Sequence, residues 1–580
     1  NLDISFEYTY QHSDANNNRY NNYFELHQGL QDAINPSDQN TQYYVQKTLN
    51  DYTSINVYAN YNLKIGNAHN IAAVAGYNQE ESSYELQWSR AFNMISNELP
   101  FLGGASGATP PETGDDFDRF TLRGAFGRIT YNYLQKYFLE ANSRYDLSSK
   151  FPADYRGGFF PSVSAGWNIA KEQFAKNLTA VVQTFKLRGS LGELGNQNVS
   201  NYGFLPTMAP YDAVWIYGGV TPKTLKTPGM VRANYTWEKV RTLNGGIDIG
   251  ILKNRLTTSF DIYKRLTLGM LAPGMDFPAV AGAAAPYQNA ADLKTNGWEV
   301  TVNWTDKVAD FIYGLGFNLY DSRTFITKYR NENKVLGSGF YEGQEIGEIW
   351  GYVTDGFYTA GDFNENGTLK EGVVSINGVI SHEGDIKYKN LRDGEGSVNR
   401  IDQGQNTAGD SGDRTIIGNN TSRYNYGING FASWKGIGLS FILQGVAKRD
   451  AWIGGDIMFP HAGQFSTFYS HQLDYWTPTN TDAYYGRIYM NAQESSHGAN
   501  QRVQTKFLQN AAYMRVKNIT LSYSLPTQLI SRAHLRNVKV FYSGENLFTF
   551  SKLIKGIDPE SLTWEYPHYI THSFGISIGL

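Results

Sequence analysis

The 580-residue chain contains no cysteine, which removes a disulfide framework, a thiolate metal site and a cysteine nucleophile together. Proline is scarce, at 18 residues. No run approaches the ~18 consecutive apolar residues of a membrane helix; the longest candidates, 71–76 and 279–286, are far too short. A charge bias is missing too. Lys and Arg number 50 against 54 Asp and Glu, a net charge of −4 with a pI near 6.2, so there is no basic stripe for nucleic acid. Helical 3.6-residue periodicity is almost absent. So are G-x-S-x-G, H-E-x-x-H and the P-loop. His382-Glu383 runs on into Gly384-Asp385-Ile386, which breaks the zinc-helix pattern, and the Asp115-Asp116 pair sits in loop-like sequence with no cleft defined around it. The chain is not expected to be an enzyme. It opens on NLDISFEYTY with neither Met nor a charged leader, and reads as a mature fragment lacking upstream material.

What is present is glycine, 59 residues, and an aromatic fraction of 14% divided into 41 Tyr, 32 Phe and 11 Trp. Alternation with period two dominates. In 295–304, Trp298, Val300, Val302 and Trp304 lie opposite Glu299, Thr301 and Asn303; in 519–526, Ile519, Leu521, Tyr523 and Leu525 lie opposite Thr520, Ser522 and Ser524. The pattern predicts about 16 strands, near 1–11, 45–63, 70–88, 122–133, 137–146, 160–170, 183–192, 240–251, 256–269, 296–304, 311–323, 423–434, 437–450, 510–525, 536–548 and 570–580. Short links at 134–136, 252–255, 305–310 and 434–437 alternate with long ones near 90–121, 192–239, 270–294, 324–423 and 450–509. Short turns at one rim and long loops at the other are the asymmetry of outer-membrane barrels. Tyr131, Tyr133, Tyr137, Trp304 and Trp434 flank the short turns, where amphipathic rings meet lipid headgroups. The terminal SFGISIGL puts Phe574, Ile576, Ile578 and Leu580 on one face, as a closing strand would. The fold expected is an all-β transmembrane antiparallel barrel filling 1–580, with a secreted β-rich glycan-binding protein as the alternative.

Eight blocks carry a family resemblance. They are RYDLSSKFP (144–152) with GFFPSVSAGWNIAKEQF (158–174), FKLRGSLGELGNQNV (185–199), the segment 237–267, IGEIWGYVTDGFY (346–358), GDIKYKNL (384–391), DRTIIGN (413–419), QNAAYMRVKNITLSYSLP (509–526) and VKVFYSGENLFTFSKLIKGIDPES (538–561). In this order the chain resembles the SusC/RagA family of TonB-linked outer-membrane transporters of Bacteroidetes over nearly its whole length. The resemblance implies a barrel of about 22 strands filled by an N-terminal plug, of which this chain would hold the C-terminal portion with the plug missing. It implies an outer-membrane protein that imports glycans or oligopeptides. The implied partners are a SusD-like surface lipoprotein, the TonB complex acting through the missing N-terminal segment, outer-membrane lipid, and a second barrel–lid pair. A passive porin and a siderophore-type TonB receptor are the nearer alternatives. The family usually ends on an aromatic residue, and here the last residue is Leu580.

Two sets of side chains are candidates for binding. Tyr211, Trp215 and Tyr217 cluster in one long link, and Phe465, Phe468, Tyr469, Tyr475 and Trp476 in another; such rings stack on sugars, grip a protein partner, or form loop core. Asp362, Asn364 and Asn366, followed by Gly367, match the opening of a calcium loop, yet the twelfth position is Val373 rather than a bidentate carboxylate. Arg392-Asp393-Gly394-Glu395 with Asp402 is a second acidic loop, and an Asx or glycine turn explains both. No cofactor is expected beyond that candidate calcium.

Overall fold

A computed structural model describes residues 1–21, 26–27, 33–34, 41–96, 98–106, 109–231, 234–274, 286–337, 339–393, 398–461, 466–489, 494–531, 534–563 and 568–579. The apolar stretch 279–285, Gly394, Glu395, Phe465 and Leu580 lie outside the described residues. Sixteen strands form one antiparallel sheet and hydrogen-bond in chain order. They are β1 (Leu2–Asn21), β2 (Gln42–Ile65), β3 (His69–Phe92), β4 (Glu112–Tyr133), β5 (Tyr137–Ser148), β6 (Gly157–Asn168), β7 (Val182–Asn196) and β8 (Glu238–Ile251), then β9 (Leu256–Pro273), β10 (Tyr287–Val308), β11 (Phe311–Lys328), β12 (Arg423–Trp434), β13 (Ile437–Lys448), β14 (Tyr513–Ser524), β15 (Asn537–Ser551) and β16 (Thr571–Gly579). Every strand expected from alternation is there. Several run further than expected: β1 continues to Asn21, β4 begins at Glu112 and β10 at Tyr287. The stretches 112–121 and 287–294, expected as loop, are therefore paired strand. No described helix is long and apolar enough to cross a membrane.

The chain divides into two compact units, one of 1–166, 190–242 and 267–290, the other of 167–189, 243–266 and 291–580. In the first, register explains the alternation. Phe6, Val57, Tyr77, Ala125 and Tyr145 stand opposite one another across β1 to β5, and the next rung is Glu7, Asn56, Asn78, Gly124 and Asp146. One face is apolar and the other polar. The second unit repeats the arrangement. Val302, Phe317, Ile428, Leu443 and Val516 share a rung across β10 to β14, and Thr301, Asn318, Gly427, Gln444 and Arg515 share its neighbour. Large apolar side chains on the first face are solvent-exposed, among them Phe6, Ile129, Leu139, Leu315, Leu521 and Ile576. A sheet whose exposed face is apolar and whose other face is polar inverts the soluble pattern and matches a lipid-facing barrel wall.

The short links are tight reversals. Leu134 and Gln135 (φ 51° and 56°) turn the chain between β4 and β5, and Lys435 and Gly436 (φ 45° and 89°) between β12 and β13. Positive φ at both central positions of a hairpin turn fits the twist of the flanking strands.

Candidate functional site

The polar face is tied together by side chains. In the first unit the Tyr58 hydroxyl donates to Glu7 (2.9 Å), Asn78 Nδ2 donates to Asn56 Oδ1 (2.6 Å), and Arg144 Nε donates to both Asp146 oxygens (2.7 and 2.8 Å). A concavity of about 640 Å³ runs along it, bordered by Tyr58, Asn60, Phe126, Arg128, Arg144 and Glu193. In the second unit the Arg188 guanidinium lies between two carboxylates, donating to both Asp261 oxygens (2.6 Å each) and from Nε to Asp248 Oδ2 (3.1 Å), while Nη2 also reaches Ser259 (2.8 Å). Charged groups at membrane depth are kept where they pair and face an interior. Sequence reading missed this triad. Its signal was available, since Arg188, Asp248 and Asp261 interrupt strands at positions opposite their apolar residues.

At the other end of the second unit, the long links 329–422 and 449–512 build a common core. Tyr352, Tyr358, Ile386 and Tyr388 from the first pack with Ile453, Met458, Phe459, Tyr485 and Phe507 from the second. A buried carboxylate joins the two. Asp385 accepts from the Tyr489 hydroxyl (2.8 Å), from Asn500 Nδ2 (3.0 Å) and from the His382 backbone amide (2.7 Å). Beside it the Tyr388 hydroxyl donates to the Ala499 carbonyl (2.6 Å), and Gln504 Nε2 donates to Tyr388 Oη (3.2 Å). Burial raises the Tyr358 hydroxyl to about 12 and pushes Tyr388 and Tyr489 up as well, so all three remain neutral donors. Burial also lowers the Lys506 ammonium, which lies over the Phe357 and Tyr484 rings.

The aromatic candidates separate here. Trp476 is 7% exposed. Its ring lies against Gly384 (φ 87°), where a Cβ would come within 2.2 Å of it. Its amide donates to the Tyr485 carbonyl (2.9 Å). Tyr469 and Tyr475 pack partly buried against the same core, so these three rings are loop core; Phe468 stays exposed, with its ring stacked near His461. Tyr211, Trp215 and Tyr217 occupy a separate arm in the first unit. Pro210–Asp212 pairs with Lys223–Leu225, and Tyr217 and Val220 exchange backbone bonds (2.9 and 3.2 Å) across Gly218-Gly219. The ribbon holds Val214 (94% exposed), Trp215, Ile216, Tyr217 and Val220 out to solvent. Below the tip Lys223 pairs with Asp212 (2.9 Å) and Lys226 sits over the Tyr211 ring, which leaves the apex uncharged.

The side chains of the calcium-like loop hydrogen-bond within the loop. Asp362 Oδ2 accepts from the Thr359 amide (2.7 Å) and hydroxyl (3.0 Å), closing a capping box. Asn364 donates to Thr368 and to the Leu369 carbonyl, and Asn366 Oδ1 accepts from the Thr368 amide and hydroxyl. Val373, at the twelfth position, packs against the loop core. These bonds close an Asx turn. In the second acidic loop, Asp402 Oδ1 accepts from the Gly404 amide (2.7 Å), a turn of the same kind. Asp558, Glu560 and His568 bring three ligand atoms within 4.8 Å of one another, but both carboxylates already pair with the buried Arg515.

Residues 1–378 match the family described as TonB dependent receptor-like, beta-barrel. The TonB-dependent receptor P3 of Formosa agariphila is 27% identical over 522 residues, covering 87% of this chain and 48% of that protein. The TonB-dependent receptor SusC of Bacteroides thetaiotaomicron is 27% identical over 480 residues, covering 79% of this chain and 44% of its own length. The chain thus spans about half the length of the curated relatives it matches. Among solved structures, the RagAB peptide transporter superposes with a TM-score of 0.79 at 19% identity, over 100% of this chain and 60% of that one, which establishes the fold. The two-faced strands, their tight reversals and these matches agree: the chain belongs to the TonB-dependent receptor β-barrel family, whose barrel crosses the outer membrane with its strands.

Proposed function

We propose that the chain is the barrel portion of a TonB-dependent importer of nutrient oligomers, glycans or oligopeptides, capped by a SusD-like surface lipoprotein. The lipid-facing apolar rungs make a fixed wall, and the polar rungs behind them supply hydrogen-bonding groups toward a lumen. The observation that carries the lid is the arm at 209–226. Its uncharged apex is too apolar to be left to solvent and too short to be core, and exposed patches of this kind mark protein interfaces. Trp215 and Tyr217 would grip the lipoprotein; Phe468, exposed on the loop core, would face solute or lid. Energy would come from the TonB complex acting on segments outside this chain, and two barrel–lid pairs would assemble together.

Extraction of the full-length receptor from native outer membranes, followed by chromatography and mass spectrometry, tests the reading. Co-elution of a SusD-like chain, with uptake of an oligomer that stops when the proton gradient is collapsed, is expected. Uptake that persists without the gradient and without a partner would make the protein a porin.

A further inference from the structure

The link between β6 and β7 has two sets of apolar residues. Ala170 and Ala175 are buried and seat the link on the protein. Phe174 (72% exposed), Leu178 and Val181 (58%) face outward and add nothing to a core. The outward set continues a face that is already assigned. Trp167 ends the exposed row of β6, alternating with Val163 and Phe159, and its ring meets Phe174 edge-on with centroids 6.4 Å apart. Trp167 Nε1 donates to Glu172 Oε1 (3.2 Å), which fixes the indole across the entry to the link.

Backbone contacts fix which rim this is. The Val181 carbonyl accepts from the Leu252 amide (3.2 Å), and Gln183 Oε1 from the Lys253 amide (2.7 Å). The link therefore ends beside the tight turn between β8 and β9, on the short-turn side, which is periplasmic in outer-membrane barrels. Leu252 is exposed beside it. Lys171 and Lys176 are exposed as well, and neither enters an ion pair among the described residues.

We infer that residues 169–181 form an interfacial anchor lying in the headgroup layer of the periplasmic leaflet, with Phe174, Leu178 and Val181 at the acyl boundary and Lys171 and Lys176 among lipid phosphates. Apolar side chains continuous with the lipid-facing row, flanked by unpaired cations, are the composition of a segment that lies in the membrane interface. The occupant is phospholipid. A periplasmic protein or open water are the outcomes that would refute it.

The absence of cysteine makes the test direct. In the full-length receptor, with any cysteine outside this segment replaced by serine, F174C or L178C carries a bimane label in nanodiscs open to both faces. L178C keeps Phe174 in place, so a folding defect in one variant does not decide the matter. Labels at both positions are expected to be quenched by lipids brominated near the glycerol end of the chain and protected from aqueous iodide, with a V214C label behaving oppositely. Iodide quenching equal to that at V214C would place the link in water, and protection from both quenchers would place it under another protein; either overturns the anchor. K171E with K176E is expected to cut bromolipid quenching at L178C several-fold in discs containing phosphatidylglycerol; unchanged quenching would remove the lysines from the anchor.

Discussion

Arginine placed at adjacent positions of β12 should have opposite consequences. Ile428 shares its rung with Phe317 and Leu443, whereas Asn429 shares the next with Gly316 and Ile442 on the polar face. Ile428 stands six residues from the last residue of the strand, Trp434. At about 3.3 Å per residue and a tilt near 45°, that is roughly 14 Å of depth, close to the middle of a ~25 Å apolar belt. Ile428→Arg should therefore cost about 2–4 kcal/mol, a drop of about 30- to about 700-fold in the folded-to-unfolded ratio. Asn429→Arg should cost less than about 1 kcal/mol, because a luminal side chain can stay hydrated. Urea titration of the full-length receptor in lipid vesicles, read by tryptophan fluorescence and by heat-modifiable migration, measures both. Equal losses, or a larger loss for Asn429→Arg, would refute the assignment of faces on which the barrel reading depends.

Other consequences are as specific. Asp385→Ala strips the acceptor from the Tyr489 hydroxyl, Asn500 Nδ2 and the His382 amide; a local loss of about 2–4 kcal/mol should appear as faster proteolysis within both 329–422 and 449–512, with barrel melting unchanged. Trp215→Ala with Tyr217→Ala should weaken binding of the surface lipoprotein about tenfold or more without changing Tm, and unaltered affinity would remove the arm from the interface. Glu345 is held below the usual carboxylate range, first by its hydrogen bonds from Arg323. The stability it adds is present above the ordinary Glu value and lost as pH falls through the lowered one, so Glu345→Gln should flatten the acid limb of a stability–pH curve and leave its neutral limb parallel. Millimolar calcium should leave Tm unchanged; a rise abolished by Asp362→Ala would show that the 362–367 loop rearranges to take the ion.

The strands were legible because the bilayer imposes its own pattern: within the belt one face must be apolar, so Val300, Val302 and Trp304 alternate with Thr301 and Asn303. Beyond the belt both faces are wet. Gln11–Asn21, Glu112–Thr121 and Tyr287–Thr295 carry polar residues on each side, and their pairing left no trace in hydropathy. The loop aromatics show the complementary limit. Trp215 and Trp476 sit in equally aromatic sequence, and what buries one and exposes the other is distant in the chain: Gly384 lies against the Trp476 ring, while nothing among the described residues covers Val214 or Tyr217. Asp385 carries no local signal for the same reason, although it falls within the GDIKYKNL block. Its partners Tyr489 and Asn500 lie more than a hundred residues on, and no local spacing announces them.

The bonds from Asp385 and Tyr388 to residues of the second link make those two insertions one mechanical part carried by two separate hairpins. Shortening either insertion would take away half of the other's interior, so length variation in one is expected to be matched by variation in the other. A substitution in one insertion's share of this core changes what the other packs against. Variation that leaves this shared core intact is then confined to its exposed side chains.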